Sequence, residues 1–187
     1  MSKTLILLFH PEWETSHTNR AMADAAADVA GVEVVNMAEL YPDLRALDVD
    51  HEVERLYGAD RLVLQFPIHW YAAPPLVMAW QNTVITRMFY VHPKEEGERL
   101  RGLPFAVAAT AGNVPEAYTA EGVNRYPLTD LLHPFASTAS RCAFAWREPF
   151  LTYRANRLDE AERRALGGRY VAWLREWTDT LPGRAAA

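Results

Sequence analysis

The run "KTLILLF", Lys3 to Phe9, is apolar at every position from Leu5 to Phe9 rather than at every second one. A strand with that pattern needs cover on both faces, which is the place of an inner strand in a parallel sheet. "TLILLF" is too short to cross a bilayer and "HPEWE" interrupts it at once. No small-residue cleavage site follows a long apolar core, so no signal peptide is expected.

The rest of the chain alternates strand and helix patterns. From Ser16 the spacing of Met22, Ala25, Ala26 and Val29 is helical. "GVEVVNM" reads as a second strand, residues near Val49 to Tyr57 as a helix, and "DRLVLQF" as a third strand. A helix is expected from about Pro74 to Thr86, then a polar loop at "HPKEEGERLRG". "LPFAVAAT" is a fourth strand, followed by a long loop from Ala111 to about Tyr126. The next helix is expected to carry Leu128, Leu131, Leu132 and Phe135 on one face. "CAFAW" with "PFLTY" offers a fifth strand. The last helix, about Leu158 to Leu181, aligns Leu166, Tyr170, Trp173, Leu174 and Trp177, and "PGRAAA" reads as a frayed end. Such alternation predicts an α/β fold, a doubly wound five-stranded parallel sheet with helices on both faces. At 187 residues, with no repeat and no linker, one domain over residues 1–187 is expected.

Composition restricts the partners. A net charge of −5 argues against broad nucleic-acid binding, which leaves a basic footprint. The single cysteine, Cys142, forbids an internal disulfide and fits a reducing cytoplasm. Its apolar surroundings suggest a buried small residue and not a nucleophile. There is no Walker A motif and no G-x-G-x-x-G, which disfavours nucleoside triphosphates and a dinucleotide-binding fingerprint. His10, His17 and His69 match no familiar metal-ligand spacing, so no metal is expected.

In a sheet of this kind the ligand site lies beyond the carboxyl ends of the strands. Three unusual loops meet there: "HPEWETSHTN", "FPIHWY" and "TAGNVPEAY". Ser16 stands where a helix N-cap belongs, with Thr18 and Asn19 in the first turn. That arrangement is either an ordinary cap or a phosphate-holding helix terminus. Pro67 stops the third strand, and Ile68, His69, Trp70 and Tyr71 follow, as packing or as a wall for a flat ring. Gly112 permits a close backbone approach or merely marks a turn.

Together, "HPEWETSHTN", "QFPIHWYAAPPLVMAW" and "ATAGNVPEAYTAEGVNRYPLTDLLHPF" resemble the flavin-dependent NAD(P)H:quinone reductase family, which is flavodoxin-like. "LYPDL" and "NRYPLTDLLHPF" resemble its bacterial branch, which includes ancillary proteins of glutathione-gated potassium-efflux systems. The resemblance implies that His10, Ser16, His17, Thr18 and Asn19 surround the phosphate and ribityl chain of a flavin. It implies ring contacts from Pro67, Ile68, His69, Trp70 and Tyr71, with Thr110, Ala111, Gly112 and Asn113 on the other edge. FMN is the expected cofactor, FAD the alternative, and NAD(P)H the donor to a quinone-like acceptor. Tyr118 and Asn124 match substrate-pocket and catalytic positions. A homodimer is implied, with Tyr90 reaching the neighbouring subunit's site, and a potassium-efflux transporter is an alternative partner. Two departures stand out. Thr110-Ala111-Gly112-Asn113 replaces Thr-Thr-Gly-Gly, and Asn124 stands where mammalian members carry a histidine, which an amide cannot replace as a proton relay.

Overall fold

The structure, a computed structural model, describes residues 3–180, with side chains described to residue 177. "PGRAAA" and Leu181 lie outside the described residues. Strands β1 (Thr4–Leu8), β2 (Val32–Asn36), β3 (Arg61–Pro67) and β4 (Pro104–Thr110) form a parallel sheet in the order β2-β1-β3-β4. The fifth position is divided. β5 (Ala145–Trp146) pairs with Pro104 and Phe105, whereas β6 (Phe150–Thr152) pairs with Ala108 to Thr110. The single fifth strand expected from "CAFAW" and "PFLTY" is therefore two short ones separated by residues 147–149. Pro149 has no N–H to give to a ladder, which breaks the pairing there.

Helices α1 (His17–Ala27) and α6 (Glu160–Thr180) cover one face, packing on Ile6, Val63, Ala106 and Ala108. Helices α3 (Val49–Tyr57), α4 (Pro75–Trp80) and α5 (His133–Arg141) cover the other, against Leu5, Leu7, Leu64, Phe105 and Val107; the short α2 (Met37–Leu40) joins them through Met37. Successive strand residues point to opposite faces, so burial of both faces requires apolar residues throughout. Leu5 to Leu8 are all fully buried.

Two helices depart from the expected pattern. The helix opening at Pro75 runs past Thr86, through π turns at Gln81–Ile85 and Arg87–Val91. The Thr83 hydroxyl donates back to the carbonyls of Ala79 and Trp80, which loosens the regular ladder at that point. Leu128 and Leu131 do not share a face with Leu132 and Phe135. The first pair packs under the loop after β4, the second in the main core, because a 3-10 turn at Asp130–Leu132 precedes α5. The "HPKEEGERLRG" loop is also less solvated than expected: Gly97 and Leu100 are buried in a 3-10 turn, and Glu96 pairs with Arg87 at 2.8 Å. Trp177 is buried against the sheet with Trp173 packed beside it, as their spacing suggests. Cys142 is buried, and desolvation pushes its thiol up to about 11, which leaves it unreactive at neutral pH.

Candidate active site

A cavity of about 330 Å³ opens at the carboxyl ends of β1, β3 and β4. Its base is the N-terminus of α1. Ser16 occupies the N-cap position, yet its side chain makes no capping bond. The hydroxyl is buried, with the residue only 6% exposed, and has no partner among the described residues. A buried hydroxyl without a partner is costly, and beside the free N–H groups of a helix terminus it suits an anionic oxygen.

Neighbouring side chains are held in place by buried hydrogen bonds. Asn19 Nδ2 donates to Thr110 Oγ1 at 3.0 Å, tying α1 to the end of β4. Gln65 Nε2 donates to the Asn19 carbonyl at 3.0 Å, tying the same turn to β3. The Thr18 hydroxyl donates to the Ala155 carbonyl, bringing in the segment after β6. Sequence reasoning missed Gln65, because an amide inside an apolar strand reads as a lapse in the pattern.

His10 and His69 meet edge to face across the cavity mouth, ring centroids 6.2 Å apart. His10 Nδ1 accepts from the Glu12 N–H at 3.2 Å. Burial, reinforced by His69, lowers the His10 pKa below the usual imidazole value and favours its neutral form.

The expected cofactor residues divide. His10, Ser16, His17, Thr18, Asn19, Pro67, Ile68, His69, Thr110 and Gly112 line the cavity together. Trp70, Tyr71, Ala111 and Asn113 do not. His69 and Ala72 exchange both backbone hydrogen bonds, at 2.9 and 3.1 Å, around a two-residue turn. Trp70 and Tyr71 both take the left-handed region there, with φ of 47° and 64°. That turn normally takes glycine or asparagine, so each of these aromatics carries strain of roughly 1–3 kcal/mol. The turn leaves Trp70 93% exposed instead of laying it over the cavity. Ala111 is packed beneath the next loop, and Asn113 Oδ1 accepts from the Val114 N–H at 2.9 Å.

Beside the cavity the loop after β4 carries Tyr118 and Asn124. The Tyr71 hydroxyl donates to Asn124 Oδ1 at 3.2 Å, linking the second and third loops. Tyr118 is buried against the Tyr153 ring, centroids 5.6 Å apart. Burial first, then Tyr71 and Tyr153, raises its pKa, so the phenol keeps its proton. Tyr90 does not line the cavity; it is exposed on the second π turn, with the Arg141 guanidinium over its ring at 4.9 Å. The segment between β6 and α6 adds Ala155, Asn156 and Leu158 to the lining, and the first turn of α6 adds Arg163, none of them expected. The available signal was positional, since the carboxyl end of the fifth strand position must reach the same rim. Among the described residues no cluster of metal-ligating side chains occurs, and no helix is long and apolar enough to cross a membrane.

Comparison with known proteins agrees with this architecture. A family model described as Flavodoxin-like fold matches residues 2–174. The glutathione-regulated potassium-efflux system ancillary protein KefG of Cronobacter sakazakii is 35% identical over 92% of both chains. An uncharacterized NAD(P)H oxidoreductase of Bacillus subtilis, YdeQ, is 33% identical over 90% of this chain and 84% of its own. The general stress protein 14 of Treponema denticola, solved in complex with FMN, superposes with a TM-score of 0.83. It is 30% identical, over 93% of this chain and 98% of its own.

Proposed function

The chain belongs to the flavodoxin-like fold family, and from that premise we propose that it is a flavin-dependent NAD(P)H oxidoreductase acting on quinones or similar flat acceptors. The observation that carries this reading is the partnerless Ser16 hydroxyl at the α1 terminus, inside a cavity bounded by the ends of three strands. Those residues fit a phosphate-bearing flavin, and the FMN-bound relative from T. denticola supports the choice of FMN over FAD. The B. subtilis oxidoreductase supports NAD(P)H as donor. A bound flavin would supply the two-electron redox chemistry between NAD(P)H and the acceptor.

The protein's own contribution is positioning. Asn19, held by Gln65 and Thr110, fixes the first turn of α1 at the cofactor's phosphate end. Pro67, Ile68 and His69 form the wall at its ring end. Tyr118 stays protonated and offers its hydroxyl hydrogen to negative charge on the acceptor oxygen. Asn124 cannot relay a proton and instead orients the Tyr71 hydroxyl. Replacing Tyr118→Phe is expected to lower quinone turnover roughly tenfold or more without weakening FMN binding. Unchanged steady-state turnover in a folded, flavin-loaded variant removes the role.

We read the protein as one domain over residues 1–187 that works in the cytoplasm as a homodimer, with Tyr90 reaching the partner's acceptor pocket. The exposed apolar side chains Tyr90 and Val91, adjacent on the second π turn, support a covered face. A monomer mass by light scattering at micromolar concentration contradicts it. The similarity to KefG favours a second reading, a flavin-binding regulatory subunit of a potassium-efflux transporter.

A further inference from the structure

A second cavity, of about 350 Å³, lies at the edge of the sheet between the loop after β4, the end of β6 and α6. It adjoins the first, since Leu158 lines both. Its rim end carries Tyr153, a half-buried ring that packs on Tyr118 with centroids 5.6 Å apart. Leu151 and Ala165 add apolar walls, and the charged groups are Arg154, Glu162 and Arg169. Two of those three are committed. Arg154 Nη1 pairs with Glu162 at 3.3 Å, and Glu162 Oε2 also accepts from the Asp159 N–H at 2.9 Å. Arg169 makes no hydrogen bond and pairs with no carboxylate among the described residues. Arg164 on the same helix, by contrast, pairs with Glu160 at 2.8 Å. The edge cavity therefore joins an aromatic ring, apolar walls and one unmatched cation.

We infer that this edge cavity takes the 2′-phosphoadenosine end of NADPH, with Arg169 on the phosphate, and makes the protein selective for NADPH over NADH. The inference rests on the oxidoreductase reading above and deepens it. The two dinucleotides differ only in a phosphomonoester on the adenosine ribose, which carries about −1.5 to −2 charges at neutral pH. An uncommitted cation tells them apart, and the guanidinium fork matches phosphate geometry better than an ammonium does. Adenine is a flat base that stacks on aromatic faces, and Tyr153 offers one. The path from the reacting end is continuous. Donor and acceptor meet the cofactor in turn beside Tyr118, Tyr118 touches Tyr153, and Tyr153 opens the edge cavity that leads to Arg169.

The test titrates the protein by calorimetry, at low ionic strength, with adenosine 2′,5′-bisphosphate, 5′-AMP and inorganic phosphate. The bisphosphate is expected to bind at least about tenfold more tightly than AMP, with inorganic phosphate weakest. Arg169→Met should abolish that preference by weakening the bisphosphate alone, and Arg169→Lys should restore part of it. The AMP affinity that Arg169→Met retains shows that the variant is folded. Ala165→Trp, which fills the cavity and leaves Arg169 in place, should weaken both nucleotides. A Met variant that keeps the wild-type preference overturns the inference and leaves the oxidoreductase reading intact. So does equal wild-type affinity for bisphosphate and AMP, or inorganic phosphate bound as tightly as the bisphosphate. Bisphosphate binding through Arg169, in a protein whose FMN is bleached by neither NADPH nor NADH, supports the nucleotide site and overturns the oxidoreductase reading.

Discussion

Gly122→Ala is expected to cut kcat/KM for a quinone acceptor on the order of a hundredfold while leaving FMN binding nearly unchanged. A Cβ at Gly122 would lie 2.4 Å from the carbonyl oxygens of both Glu116 and Ala117, and 2.6 Å from the Ala117 carbonyl carbon. All three are backbone atoms, so no side chain can swing away, and the loop itself must move. That loop carries Tyr118. It is also closed by the Asn124 N–H donating to the Ala117 carbonyl at 2.9 Å, the same carbonyl the new methyl would strike. The variant therefore displaces both proposed acceptor-side residues at once. None of them lines the cavity proposed for the flavin, which is why the effect should fall on the acceptor and not on the cofactor. Parallel titrations with FMN and steady-state kinetics with a quinone separate the two. A Gly122→Ala protein with wild-type kcat/KM would show that the loop's position does not matter to the reaction.

The second large effect concerns stability. Glu52 is fully buried on α3, and three donors converge on its carboxylate. The Tyr41 hydroxyl reaches Oε1 at 3.0 Å, Arg55 Nε reaches Oε1 at 3.0 Å, and Trp80 Nε1 reaches Oε2 at 3.0 Å. This one side chain joins the segment after β2 to α3 and α4. Glu52→Ala removes the acceptor for all three, leaving a mostly buried guanidinium beside only the more distant Glu33 carboxylate at 3.6 Å. Breaking a buried pair from one side costs about 3 kcal/mol or more. For a chain of this size that is a fall in Tm of roughly 6–12 °C, measured by calorimetry at neutral pH. Glu52→Gln keeps one acceptor oxygen and should lose less. A fall below about 1 kcal/mol for the alanine variant would mean the network relaxes onto water.

Glu52 also shows where sequence reading stops. "HEVERLY" reads simply as part of a helix, and only tertiary packing reveals that Trp80 and Tyr41 close over the carboxylate. The main architecture was readable, because a strand covered on both faces must be apolar throughout and the long helices repeat their apolar residues at 3.6-residue spacing. The three rim loops were readable for a related reason: parallel strands all point their carboxyl ends the same way. Individual side-chain directions were not. Trp70 and Tyr71 belong to a cofactor motif by resemblance, but a turn with two left-handed residues directs Trp70 outward, and nothing in "IHWYA" marks a turn that usually takes glycine. Arg163 was equally hidden, in a helix that also carries the surface pair of Arg164 with Glu160. Its place is set by how α6 packs on α1, a contact between segments more than a hundred residues apart in the chain.

The most direct test of the oxidoreductase reading follows the visible absorbance of the FMN-loaded protein after NADPH is added without oxygen. The account predicts rapid bleaching of the flavin band, reversed when a quinone is supplied. A flavin that binds yet stays oxidised with NADPH, and with NADH tried in its place, would contradict it and favour the transporter-subunit reading.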